Sequence, residues 1–210
     1  MTRRELFYVF GAAAGSCFRL PEQTEGPYYL DSKLNRSDIR SDPADGLVAE
    51  GVPLLLEFRV SRLTDGGCAP FAGAVVDVWH CDARGIYSGV QDPHFNTSGK
   101  KFLRGYQITD KNGIARFRTI YPGWYPGRTV HIHFKVRDGA SKRGEYTSQL
   151  YFDDALTDQI CKTNPYALCG RRMMRNSDDL LFRSGGDRLM LSLVPDGDGY
   201  KTSFDIALPG

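Results

Sequence analysis

Residues 120–136 read I-Y-P-G-W-Y-P-G-R-T-V-H-I-H-F-K-V, and the second half of that run decides what kind of element the chain is built from. From Arg128 onward the pattern alternates, with Val130, Ile132, Phe134 and Val136 on one side and His131 and His133 on the other. Alternation at period two among β-branched and aromatic residues predicts a β-strand. Same-face residues of a strand stand about 6.5 to 7 Å apart, so two imidazoles two positions apart can converge on one point while the apolar face enters a core.

An H-x-H pair suits two purposes, metal ligation or the polar face of a half-buried sheet. The chain's other histidines are His80 and His94, and no cysteine lies near the pair, so neither a zinc-finger set nor a run of three histidines is present. Any further ligands must be of another kind. The candidates are the phenols of Tyr121 and Tyr125 in the preceding turn, and of Tyr87 just past an earlier strand.

Four motifs then fall in order along the chain. P-E-Q-T-E-G-P-Y-Y occupies residues 21–29, V-D-V-W-H-C-D-A-R-G-I-Y-S residues 76–88, and S-Q-L-Y-F-D-D residues 148–154, while F-L-R-G-Y-Q-I-T-D-K-N-G from residue 102 leads toward the histidine strand. Together, over about residues 20–154, they resemble the intradiol ring-cleaving dioxygenases, non-heme iron(III) enzymes that open catechols between their two hydroxyls. The resemblance implies iron(III) held by Tyr87, Tyr125, His131 and His133, with Tyr125 also catalytic as the phenol that substrate displaces. It implies that Arg128 stabilises electron density developing on the ring, and that Gly26, Pro27, Tyr28 and Gln149 contact substrate. The implied reactants are a catechol and dioxygen, and the product is a cis,cis-muconate type. Two phenolates oppose the charge of a trivalent ion, which agrees with a ferric site.

Taken without that resemblance, several of these residues read differently. Tyr87 is then a core-edge aromatic with a bonded hydroxyl, Arg128 a solvated strand-end cation, Gln149 a strand-face amide bonded to backbone, and the Gly26-Pro27 turn an ordinary one. Five residues separate Tyr125 from His131, fewer than in the protocatechuate and catechol enzymes, so the chain looks closest to the small, single-domain, often exported branch. Two rival functions stand beside it. One is a non-catalytic secreted β-sandwich binding module; the other is a metal enzyme of a different class, for which Glu145 is the first glutamate beyond the H-x-H pair.

The rest of the chain predicts a mainly β fold, an antiparallel β-sandwich or barrel core with long loops and a few short helices. Strands are expected at 52–60 and 74–79, paired through Asp65-Gly66-Gly67, and at 106–109 and 114–120, forming a hairpin across residues 110–113. Further strands are expected at 146–152, 188–194 and 200–208, the last two joined by a long loop at 195–199. Short helices are expected near 153–160 and 176–182, a surface loop at 31–50, and a polar loop at 91–101 that leaves His94 at the surface.

The 210 residues contain no linker, repeat or low-complexity run, so residues 17–210 are expected to form one catalytic domain. Lys and Arg number 27 against 25 Asp and Glu, interspersed, which gives no nucleic-acid surface and no membrane surface. Residues 1–16 carry Arg3-Arg4 before a short Gly/Ala-rich apolar run too short to span a membrane. They read as a twin-arginine-type export signal, the alternative being an N-terminal arm of a cytoplasmic enzyme. Five cysteines without C-x-x-C spacing allow up to two disulfides in an oxidising compartment, with Cys81 most simply a buried thiol.

Overall fold

The computed structural model describes residues 20–139 and 145–209; the segment 1–16, where the export signal or arm is expected, lies outside them. Strand β1 (Pro53–Thr64) is the spine of one sheet. Its Leu54, Leu56, Phe58 and Val60 are buried in alternation, so the period-two pattern fixes which face turns inward. Along one edge β1 pairs in parallel with β11 (Gly199–Leu208). Along the other it pairs antiparallel with β7 (Ile114–Ile120) and then with β2 (Gly67–Pro70), while β10 (Val194–Asp196) closes the far side against β11. The second sheet runs β6 (Arg104–Ile108), β3 (Ala74–Trp79), β8 (His131–Asp138), β9 (Tyr146–Tyr151), and is antiparallel throughout.

Phe58 of β1, Phe204 of β11 and Phe134 of β8 meet between the sheets, with ring centroids 5.1 Å apart for Phe58 and Phe134 and 5.8 Å for Phe134 and Phe204. Such pairs contribute about 0.5 to 1.5 kcal/mol each beyond the area they bury. Both sheets remain open, so the core is a sandwich and not a barrel, and among the described strand pairs β1–β11 is the parallel one. The small hairpin of β4 (Gln91–Asp92) and β5 (Phe95–Asn96), and helices α1 (Asp154–Ile160) and α2 (Leu180–Arg183), lie outside the two sheets. Among the described residues no helix is long and apolar enough to cross a membrane.

Strand β8 is buried on both faces, and this is what creates the site. Ile132, Phe134 and Val136 supply the sandwich core, while His131, His133 and Lys135 on the opposite face are 2 to 4% exposed. The cover comes from the N-terminal strap and from the loop after β3. Tyr146 and Ser148 donate to Pro21 O at 2.8 Å, the Gln23 amide bonds Thr147 O at 2.9 Å, and Lys135 pairs with Glu25 at 2.7 Å, so the strap is sewn to β8 and β9.

Several connections differ from the sequence expectation. The Asp65-Gly66-Gly67 turn joins β1 to β2, not to β3; the chain then crosses through Gly73, at φ +81°, into the other sheet. The turn at 110–113 forms as expected, with Asp110 accepting from Asn112 N and Ile114 N. Its arms β6 and β7 nonetheless belong to opposite sheets, which makes it an arch and not a hairpin. Residues 188–194 are not a strand. Gly186–Leu189 is a 3-10 helix, Leu189 and Leu191 are buried, Met190 makes only an isolated parallel bridge to Tyr151, and the β10–β11 pairing begins at Val194, leaving Gly197 and Asp198 as the hairpin tip. The loop at 31–50 is no mere surface loop, because Ile39 is fully buried and Arg36 donates to Ser41, Lys101 and Arg104 carbonyls. Cys81, Cys161 and Cys169 are free thiols, and Cys68 is disulfide-bonded.

Candidate active site

The polar face of β8 starts at His131, and cross-strand register sets its neighbours. His133 stands opposite Trp79 of β3 on one side and Gln149 of β9 on the other, while His131 stands opposite Tyr151. Trp79 stacks on the His133 ring at 5.0 Å with 6° between planes, which fixes that imidazole's orientation. His131 Nδ1 lies 2.7 Å from Thr129 O, so it carries the proton and leaves Nε2 as a lone pair facing His133, Tyr87 and Tyr125. His133 Nε2 lies 3.0 Å from that lone pair.

Two phenols complete the cluster. Tyr87, in the loop after β3, brings Oη to 3.4 Å from His131 Nε2, and Tyr125, in the turn before β8, brings Oη to 3.3 Å. Gly85 makes the first approach possible: at φ +80° a Cβ there would stand 2.2 Å from Trp124 O. Tyr121, the rival phenol of the turn, points elsewhere. It is fully buried in the core with its hydroxyl 2.6 Å from Thr157 Oγ1.

Arg128 lies beside this group, its Nη1 3.5 Å from His131 Nε2. It is far from a solvated cation. Nε donates to Asp179 Oδ2 at 2.8 Å and Nη2 to Gln149 Oε1 at 2.6 Å. Gln149 in turn donates to Thr24 O at 3.0 Å, so the amide is bonded to backbone at one end and to Arg128 at the other. Asp179 also accepts from Thr129 N at 2.9 Å and caps α2 through Leu181 N at 2.8 Å. Sequence reasoning did not single out Asp179, Thr129, Tyr151 or Trp79; the last three lie inside the quoted motifs, and Asp179 carried only the signal of a helix cap.

The strap forms the remaining wall. A Cβ on Gly26, at φ +70°, would stand 3.3 Å from His133 Cε1, and Tyr28 lays its ring 4.7 Å from that of Tyr87. Tyr28 donates to Asp92 at 2.8 Å, and burial followed by that carboxylate pushes its phenol up to about 12. Pro27 is exposed. His80 is buried apart from the cluster, bonded to Thr119 and Cys81 O, and His94 is exposed. Glu145 pairs with Lys135.

Burial sets the electrostatics. It pushes His131 down to about 3, helped by Arg128, and holds His133 well below the usual imidazole range, so both rings are neutral. It likewise raises both Tyr87 and Tyr125, which stay protonated unless a cation reverses the balance. One imidazole lone pair cannot serve three close polar neighbours. Donors held about 2.0 to 2.1 Å from a shared ion stand about 2.8 to 3.4 Å apart, and the spacings of 3.0, 3.3 and 3.4 Å around His131 Nε2 fall in that span. Among the described residues no group of three or more His, Cys, Asp or Glu side chains suits a metal. An ion bound here therefore needs the phenols, and the donor set fits one.

Fold and site together define a β-sandwich enzyme with donors suited to a hard metal ion. The family model described as dioxygenase matches residues 24–210. The protocatechuate 3,4-dioxygenase beta chain of Burkholderia cepacia is 32% identical over 181 residues, covering 80% of this chain and 71% of that one. Among solved structures, an intradiol ring-cleavage dioxygenase from Tetranychus urticae superposes with a TM-score of 0.79 at 30% identity, over 92% of this chain and 95% of that one. The dioxygenase domain of a dioxygenase carbohydrate-binding protein fusion from Streptomyces sp. SirexAA-E does so with a TM-score of 0.66 at 29% identity, over 91% and 99%. The chain belongs to the intradiol ring-cleavage dioxygenase family.

Proposed function

We propose that this protein is an iron(III)-dependent intradiol dioxygenase that opens a catechol between its two hydroxyls and returns a cis,cis-muconate-type product carrying both atoms of dioxygen. The observation that carries the reading is the convergence of Tyr87 Oη, Tyr125 Oη and His133 Nε2 on His131 Nε2 within 3.4 Å. Family membership supports it. Two phenolates and two neutral imidazoles form a hard set carrying two negative charges, which favours iron(III) over iron(II). Iron(III) held by Tyr87, Tyr125, His131 and His133 would supply Lewis-acid activation that makes a bound catechol ring electron-rich enough for dioxygen to attack.

The chain's own residues prepare that reaction. Tyr87 is fully enclosed whereas Tyr125 is half-buried, so Tyr125 is the phenol free to swing out, accept one catechol proton at Oη and yield its place. Arg128, braced by Asp179 and Gln149, holds a fixed positive charge where negative charge grows on the ring. Gly26 leaves room beside His133, and Pro27 and Tyr28 wall the entrance against the flat face of the substrate.

A non-catalytic module would leave this buried donor set without a purpose. A zinc or ferrous enzyme would want a carboxylate beside the histidines, and Glu145 is engaged by Lys135 instead. We further propose that residues 17–210 act as one catalytic domain and that the protein is exported, a reading that the disulfide at Cys68 supports. Loading with ferric iron tests the site: the protein should become coloured without reductant, and His131→Ala or His133→Ala should abolish both metal uptake and colour. A colourless wild-type protein that is active only with added ferrous iron would overturn the proposal.

A further inference from the structure

The residues around the donor cluster are not equally enclosed. His131, His133 and Tyr87 are buried, whereas Tyr125, Arg128, Gly26 and Tyr28 keep part of their surface in solvent. A ring that reaches the cluster therefore comes in past those four residues. Of them Tyr28 touches both phenols, its ring centroid standing 4.7 Å from that of Tyr87 and 6.5 Å from that of Tyr125.

The hydroxyl of Tyr28 donates to Asp92 Oδ2 at 2.8 Å, which puts a carboxylate one hydrogen bond beyond that ring. Asp92 ends β4, and its Oδ1 accepts from His94 N at 3.0 Å to shape the turn into β5. Those two bonds hold its carboxyl below the usual carboxylate range, so it is ionised at neutral pH. Among the described residues Asp92 forms no ion pair. Other charges around the cluster are met: Arg128 by Asp179, Arg84 by Asp82, and Lys135 by Glu25. Arg104, enclosed and with its Cζ 6.0 Å from the Tyr87 ring centroid, adds a constant positive charge that every comparison below shares.

We propose that Asp92 is a specificity-determining residue whose charge, set behind Tyr28, disfavours catechols bearing a carboxylate and favours those with a neutral or cationic ring substituent. The inference rests on the intradiol reading above and narrows its substrate class. One ligand is selected over another by repulsion as well as by attraction, and a carboxylate without a cation supplies the repulsion. Asp92 is partly exposed, so water screens its field. The effect is therefore several-fold, and it fades as salt is added.

The test compares wild type and Asp92→Asn, both loaded with ferric iron, by kcat/KM for 4-methylcatechol, 3,4-dihydroxybenzoate and 4-(2-aminoethyl)catechol. Asparagine keeps the shape and can keep both contacts, Oδ1 accepting from His94 N and Nδ2 donating to Tyr28 Oη. The substrates differ in intrinsic reactivity, so each is read as its ratio to 4-methylcatechol, and the change of that ratio between the two proteins cancels the reactivity. In Asp92→Asn at low ionic strength the carboxylate ratio should rise about 2- to 5-fold and the ammonium ratio should fall by a similar factor. In wild type, salt at about 0.5 M should move both ratios in those same directions, because it screens exposed Asp92 more than the enclosed cations.

Ratios that Asp92→Asn leaves unchanged, or that both move in one direction, would make Asp92 a turn residue alone and overturn the inference. Should Asp92→Asn fail to fold, wild-type ratios that ignore salt would overturn it. If wild type opens none of the three substrates between the hydroxyls, the intradiol reading falls and this inference with it; if it opens them and the ratios do not respond to the charge, only the inference falls.

Discussion

Asp179→Asn removes one negative charge from a side chain that is 1% exposed and organises the back of the site. Its Oδ2 accepts from Arg128 Nε at 2.8 Å and Thr129 N at 2.9 Å, and its Oδ1 from Leu181 N at 2.8 Å. Asparagine can keep the cap with its oxygen, but its amide then faces two donors with a donor of its own. Breaking a buried ion pair from one side costs about 3 to 5 kcal/mol, and Arg128 is 17% exposed and keeps Gln149, which places the loss at the lower end, about 3 kcal/mol. For a chain of this size that is about 6 to 12 °C in Tm. Burial alone would raise the Asp179 carboxyl, but the Thr129 N–H and Arg128 outweigh it and hold it below the usual carboxylate range. A depressed native value means the stabilisation is fully present above about pH 4 and is lost as pH falls through the native value. Urea unfolding of metal-free wild type and variant at a series of pH values should thus show the largest gap near neutrality, closing on acidification. A gap below about 0.5 kcal/mol at pH 7, or one that widens in acid, would refute the reasoning.

Arg128→Ala should keep ferric iron and colour while turnover falls by the equivalent of about 2 to 4 kcal/mol in transition-state stabilisation, measured as kcat/KM on a simple catechol. Loss of the metal instead would mean that Arg128 serves binding. Tyr121→Phe should leave the visible band in place and lower stability by about 1 kcal/mol through the lost bond to Thr157, whereas Tyr125→Phe should shift or bleach the band. Thiol titration under denaturing conditions on protein from its native source should find Cys81, Cys161 and Cys169 free and Cys68 blocked; five reactive thiols would argue against an oxidising compartment.

The alternation at Val130 to Val136 made the histidine strand legible, because a two-residue period needs no tertiary information to place two imidazoles on one face. Tyr87 was not legible in that way. It reaches His131 from a loop 44 residues earlier, and only the family likeness joined the two. Local turn signals found the bends at residues 65–67 and 110–113, yet they cannot say which sheet receives the next strand, so β3 and β6 were assigned to the wrong partners. Asp179 was invisible as a site residue for the same reason: it reads as a helix cap until the fold brings it behind Arg128.

The central claim, ring opening between the hydroxyls at a ferric tyrosinate centre, is tested most directly by mass analysis of the product formed from catechol under isotope-labelled dioxygen by ferric-loaded protein without reductant. The account predicts a cis,cis-muconate bearing two labelled oxygen atoms. A semialdehyde from cleavage beside the hydroxyl pair, or a product with only one labelled atom under the same conditions, would contradict it.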